Sequence, residues 1–430
     1  MAAPTHLRSL PQLVIRARNA FAGGAAALSW FELSALLILV TFMTASPLED
    51  TGPGVASAIK LLGYTAIGAI GLRLAIPHVR QPSAALEHFR ERQGWVMLAP
   101  LILYFLGLVL GAFNGPAPGH SLWQTFSDLV VFAFAALAFG FLARDPEQSV
   151  RRLLTVTAVW CSVVLSVSLV VYIGNAQEWW VVNPYFYPDS YGERLLMNGP
   201  FYHANVMGYF LMTGAFAAGA LALQSAGKRR LLWLALCGAF SLGTAITFAR
   251  GAMLGLAAGL LLMLASRRPK VALSLLALAA AFALLLTLAV VYNHPILEYL
   301  PKTTFAGRLE LWRGGIEAAR QYGPLGVGAG QAFAESGWAP HNLWIEQYLE
   351  GGVLTTLGAL AWLILPLVYL RRSALEKGLA WSVAAAMLGL MVHGIFWSEF
   401  LNGLRFLTLV YVCLWAALAT GREAPGAQAG

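Results

Sequence analysis

Apolar residues run in long blocks along this chain, and short polar or basic stretches interrupt them. A block of about 18 or more apolar residues is long enough for a helix that crosses the hydrocarbon core of a membrane. Apolar blocks fall at about 25–46, 54–76, 95–113, 122–142, 153–173, 200–223, 231–249, 251–265, 271–292, 352–370, 379–397 and 402–420, all but 251–265 of that length. The pattern predicts an all-α integral membrane protein with about twelve transmembrane helices, a single polytopic domain over 1–430. An even number of crossings puts both termini on one side.

The polar interruptions carry the orientation. Arg80, Arg90 and Arg92 fill one loop, and Arg144, Arg151 and Arg152 the next. Lys228, Arg229 and Arg230, then Arg267, Arg268 and Lys270, then Arg371, Arg372 and Lys377 fill three more. Loops rich in Lys and Arg stay on the cytoplasmic side, so both termini are expected in the cytoplasm. Arg8, Arg16 and Arg18 precede the first block without a small-residue cleavage pattern, so that block is expected to stay as a first span. Cys161, Cys237 and Cys413 all fall inside expected spans and read as packing residues.

The stretch 231–265 is bounded by basic residues on both sides, so it must cross an even number of times. One helix of that length would measure about 52 Å at 1.5 Å per residue, too long for one crossing. The chain must turn back, and the polar break available is Thr247-Phe248-Ala249-Arg250-Gly251. The return leg is short, which puts Arg250 at a re-entrant apex facing protein or a water-filled cavity.

Two long loops are expected on the outer side. The first, 174–199, is rich in aromatics: Trp179, Trp180, Tyr185, Phe186, Tyr187 and Tyr191. The main one, 293–350, should contain a helix over 305–322, with Leu309, Trp312 and Ile316 on one face and Arg313, Glu317 and Arg320 on another. A glycine-rich stretch, 322–330, ends that helix. A last outer helix should begin at Pro340-His341 and end at Gly351-Gly352. On it His341, Ile345 and Tyr348 share one face, and Asn342, Glu346 and Glu350 the neighbouring one.

Composition agrees with a membrane protein. Of 430 residues 59% are hydrophobic and 11% charged, against about 25% charged in ordinary soluble domains. The charge that remains is informative. Arg250, Arg308, Arg313 and His341 lie outside, where the positive-inside rule gives them no reason to be. Guanidinium forks onto phosphate oxygens, which suits a diphosphate clamp. A neutral imidazole near a helix start suits a general base. His203 and Asn205 enter a span from the outer side and are secondary candidates, with Asn342 and Trp312. Lys302 and Arg320 read as residues that snorkel to lipid headgroups. No zinc-ligand spacing and no Walker-type loop is present, so no metal ion, cofactor, ATP or nucleic acid is expected.

These segments resemble the O-antigen ligase and polymerase superfamily. The resemblance rests on Thr247–Gly251, where Ala249 stands in place of a frequent serine, Gly307-Arg308-Leu309-Glu310-Leu311-Trp312, Pro324–Gly330, Pro340-His341-Asn342-Leu343 and Glu350-Gly351-Gly352. It covers about 197–365 and is specific as an ordered set. It implies a GT-C-like glycosyltransferase of lipopolysaccharide biosynthesis in the bacterial inner membrane, with a periplasmic active site. The donor would be undecaprenyl-diphosphate-linked O-antigen and the acceptor the lipid A–core oligosaccharide. Arg250 and Arg308 are carried over as diphosphate-binding residues and His341 as the catalytic residue; Arg313 and His203 are added from position. A polymerase often shows Arg-x10-Gly repeats in two outer loops, and no outer arginine here has that spacing, which favours a ligase. Polymerase, protein O-oligosaccharyltransferase and a polyprenyl-diphosphate lipid transporter are the alternatives. A transporter would place its arginines at mid-membrane, accessible from both sides.

Overall fold

The computed structural model describes residues 32–34, 36, 61–73, 94–141, 145–179, 185–189, 192–201, 203–268, 270–271, 274, 305–332, 341–368, 370–373, 375–395 and 406–420. The described residues are almost all helical: α1 (Leu61–Arg73), α2 (Gly94–Asn114), α3 (Pro118–Ala135), α4 (Pro146–Ala176), α5 (Ala204–Leu223), α6 (Gly227–Ile246), α7 (Arg250–Ala265), α8 (Phe305–Tyr322), α9 (Leu343–Val368), α10 (Lys377–Gly394) and α11 (Phe406–Ala419). Five of these, α2, α4, α5, α6 and α9, are long and apolar enough to cross a membrane. Shorter or less apolar helices lie at most of the other expected spans, and the spans expected at 25–46 and 271–292 lie largely outside the described residues.

The exposed side chains fit a lipid environment. On α4 Val159, Val163, Val167 and Val170 form an apolar stripe at helical spacing, each about half exposed, and Leu231, Leu232 and Leu242 do the same on α6. An exposed stripe of that kind marks a surface made for a non-aqueous neighbour. α5 is the opposite case. It is buried almost all round, because glycine and alanine along its length let α4, α6, α7 and α10 approach it.

Small residues set the closest contacts, as expected where helices meet without a hydrophobic drive between them. α7 and α10 cross at Gly255 and Gly389, where a Cβ on Gly255 would stand 2.4 Å from the Gly389 carbonyl oxygen. α2 packs on α9 through Gly107 and Gly111. A Cβ on Gly107 would lie 2.5 Å from Thr355 N, and one on Gly111 2.3 Å from Glu350 O.

The basic segments gather at one end of this bundle. The Arg267 guanidinium donates to the Leu223 carbonyl at 3.4 Å. A Cβ on Gly378 would meet the same guanidinium at 3.1 Å. Arg151 at the start of α4 pairs with Glu376 at 3.2 Å. The starts of α4, α6 and α10 and the ends of α5 and α7 therefore share that end.

Three details differ from the sequence-based expectation. The aromatic loop 174–199 contains a two-stranded antiparallel hairpin, β1 (Tyr185–Asp189) with β2 (Gly192–Leu196), in the register Tyr185↔Leu196. On α8 the buried residues are Gly315, Ala318 and Ala319, a face not singled out from the sequence, while Ile316 is 44% exposed. Ala318 and Ala319 pack against Val327, Ala332 and Leu349. Finally, α9 begins at Leu343 rather than at Pro340-His341. Asn342 is its N-cap, accepting the N–H groups of Trp344 and Ile345 at 3.0 and 3.2 Å on its side-chain oxygen.

Candidate functional site

The turn between α6 and α7 falls at Thr247–Ala249, as the basic flanks required. The Thr247 hydroxyl donates back to the Thr244 carbonyl at 2.7 Å and accepts the Ala249 N–H at 3.3 Å. Thr247 and Ala249 are buried, and Phe248 takes φ +53°, which throws its ring outward. Arg250 follows in the first turn of α7 and is exposed. A Cβ on Gly208 of α5 would meet the Ala249 Cβ at 2.5 Å, so the turn lies about one helical turn inside the start of α5.

His341 lies across the end of α10 from this turn. The contacts run in an unbroken chain. Gly208 touches the Arg250 turn; its neighbour Tyr209 packs on the His393 ring at 4.6 Å between centroids; and Gly394 approaches Leu343, two residues after His341. The Gly255–Gly389 crossing sets the same level independently, since Arg250 and Gly394 each lie five residues beyond it on antiparallel helices. Arg250 and His341 thus flank the C-terminal end of α10, opposite the basic end of the bundle. His341 itself is half-buried with φ +48°. A non-glycine residue there is strained, and such strain concentrates at functional sites.

The two faces expected on the His341 helix separate as the spacing required. Asn342, Glu346 and Glu350 are buried, whereas His341, Ile345 and Tyr348 are half-buried. Ile345 and Tyr348, but not His341, line a groove of about 550 Å³ between α8 and α9, with Ile316, Ala319, Arg320 and Trp344 among its other walls. Arg320 pairs with Glu317 within α8 at 3.3 Å. Arg313 is exposed on α8, and Trp312 is half-buried. Arg308 belongs to the first two turns of α8, and its side chain lies outside the described residues. His203 is the N-cap of α5, its Nδ1 accepting the Asn205 N–H at 3.0 Å. This contact gives His203 a capping role and involves only the backbone of Asn205.

The match to known families is decided by this same stretch of chain. Residues 231–363 match the family model described as O-antigen ligase. The O-antigen ligase segment begins in α6 and ends in α9, so it takes in Arg250, Arg308, Arg313 and His341. That family covers O-antigen ligases and related polymerases, which are glycosyltransferase-like enzymes. No curated protein matches the chain.

Residues outside the matched segment complete its surroundings. Asp128 on α3 is buried, accepts from Gln124 at 3.3 Å, and lies within electrostatic reach of Glu350. His393 and Tyr209 are buried beside the Arg250 turn. Sequence reasoning missed Asp128 and His393. The available signal was an ionisable residue inside an apolar span, which is rarely without a task.

Proposed function

We propose that the chain is an O-antigen ligase. It would transfer a polysaccharide from an undecaprenyl diphosphate carrier to the lipid A–core oligosaccharide, at the periplasmic face of the bacterial inner membrane. The observation that carries this reading is the placement of Arg250 and His341 on either side of the α10 C-terminus, away from the basic end of the bundle. A cation that binds the donor diphosphate and an imidazole that meets the acceptor hydroxyl belong at one end of one bundle.

In the proposed reaction Arg250 and Arg308, assisted by Arg313, bind the diphosphate and stabilise the charge that grows as the sugar C1–O bond breaks. One such contact is typically worth about 3–4 kcal/mol of transition-state stabilisation. His341 removes the proton from an acceptor sugar hydroxyl, whose oxygen attacks C1 from the face opposite the leaving group, with inversion. The diphosphate departs as an anion, so the leaving group needs no acid. The apolar groove beside Ile345 and Tyr348 supports a lipid-linked donor. Arginines supply the countercharge, so the reaction needs no divalent ion.

The deciding experiment is reconstitution of the purified protein with lipid-linked glycan and lipid A–core, in the presence of EDTA. Glycan transferred to lipid A–core is the expected result. A lengthened carrier-linked chain instead would make the protein a polymerase, and movement of the carrier lipid without transfer would make it a transporter.

A further inference from the structure

The stretch between the arginine helix and the His341 helix has to hold two halves of one site in register. Its anchoring is unusual. α9 is broken at Gly352, with φ +66° and ψ −155°. A residue in that conformation cannot continue the helical ladder, so the carbonyls just before it need other donors. They find them in the glycine loop that follows α8. Val327 N–H donates to Leu349 O at 2.8 Å, and Gly328 N–H to Glu350 O at 2.7 Å. Gly330 N–H then donates to the Glu350 side chain, on Oε1, at 2.8 Å.

Glu350 thus holds the loop twice, once through its backbone and once through its carboxylate. The loop is pinned from the other side by Asn114 at the end of α2, whose Nδ2 donates to Gly326 O at 2.7 Å and Tyr322 O at 3.1 Å. Gly328 has φ +96° and would place a Cβ 2.4 Å from Ser121 Oγ, so the loop fits its slot in one conformation. Glu350 is 3% exposed, and among the described residues its charged neighbours are Glu346 and Asp128. Burying a carboxylate in such company is unfavourable unless the contact it makes is needed. Packing alone would be served better by an apolar side chain.

We propose that Glu350 is a positioning residue, which clamps the loop 326–330 to α9 and so fixes the arginine-bearing α8 relative to His341. The proposal rests on the ligase reading for what is being positioned, but the clamp itself can be measured without the reaction. Full-length wild type, Glu350→Ala and Glu350→Gln are compared in nanodiscs. Two readouts are taken: amide hydrogen exchange over 323–332, and transfer from lipid-linked glycan to lipid A–core. Glu350→Ala is expected to speed exchange at Gly330 and its neighbours and to lower kcat by about 100-fold, as misplacement of a reacting pair does, with the donor KM little changed. Glu350→Gln keeps an acceptor oxygen for Gly330 and should stay within about threefold of wild type on both readouts, since a neutral acceptor is weaker but present. Unchanged exchange in Glu350→Ala overturns the clamp. A Glu350→Gln variant as slow as Glu350→Ala, with its loop still protected, also overturns it, because the carboxylate would then act by charge. Should Glu350→Ala fail to fold, Glu350→Asp, whose carboxylate falls short of Gly330, replaces it with the same expectations. Wild type that transfers nothing would defeat the ligase reading, while the exchange measurement would still decide the clamp.

Discussion

His341 combines a strained backbone with a side chain placed for chemistry, and the two can be separated by substitution. An L-residue in the left-handed region costs about 1–2 kcal/mol relative to glycine, which adopts it freely. His341→Gly should therefore leave thermal stability in detergent equal to wild type or slightly above it, while transfer is abolished and the donor lipid still binds. His341→Ala should lose transfer equally and gain no stability, because the strain stays. Transfer by His341→Gly at the wild-type rate would remove the imidazole from the reaction. The neighbouring Asn342 works differently. As the N-cap of α9 it holds two N–H groups, and Asn342→Ala should lower stability by about 1 kcal/mol whereas Asn342→Asp should be near neutral. Thermal unfolding of the three proteins checks both signs.

At the scale of elements, the packing of α2 against α9 and the glycine loop gives a sharp contrast between two glycines. A Cβ on Gly115 would fall 1.7 Å from the Val327 carbonyl oxygen, which is backbone and cannot move aside cheaply; one on Gly119 in α3 would meet nothing within 4 Å. Gly115→Ala should push the loop out of its slot and lower both stability and transfer. Gly119→Ala should be neutral or stabilising by up to about 1 kcal/mol, the difference in helix propensity. Equal behaviour of the two, in unfolding and transfer assays, would contradict the close approach. The same elements show what was legible in the sequence. The apolar blocks and their glycine and proline breaks located nearly every described helix, and basic flanks alone required the Arg250 turn. The role of α2 was not legible, because Gly107, Gly111 and Gly115 look like any small residues in a span, and their partners lie more than 200 residues away. The buried face of α8 was not legible for a related reason. Hydrophobic periodicity weights Leu309, Trp312 and Ile316, whereas contact distance selected Gly315, Ala318 and Ala319.

For the whole molecule the strongest structural regularity is the division of charge between two ends. Arg151, Arg267 and the start of α10 meet at one end, through the Glu376 pair, the Leu223 carbonyl and Gly378. Arg250 and His341 lie at the other. If the positive-inside rule sets the orientation, the first end faces the cytoplasm and the candidate site faces outward. Two exposed positions report on this without touching the site. Lys228 belongs to the basic end, and Trp179, 68% exposed, follows the far end of α4. Cysteine placed at each can be labelled with a membrane-impermeant maleimide in sealed vesicles; Cys161 and Cys413 are buried and Cys237 half-buried, so a background with Cys237→Ser keeps the signal clean. Trp179→Cys should react in right-side-out vesicles and Lys228→Cys only in inverted ones. Labelling of both from the same side would mean that the bundle ends do not correspond to membrane faces. Arg250 and His341 would then have no assured access to a periplasmic acceptor, even with their mutual placement intact. Opposite labelling with Trp179→Cys on the inner side would preserve the bundle and reverse the enzyme. A cytoplasmic acceptor would then have to be found, because lipid A–core presented from the periplasmic leaflet could not reach His341.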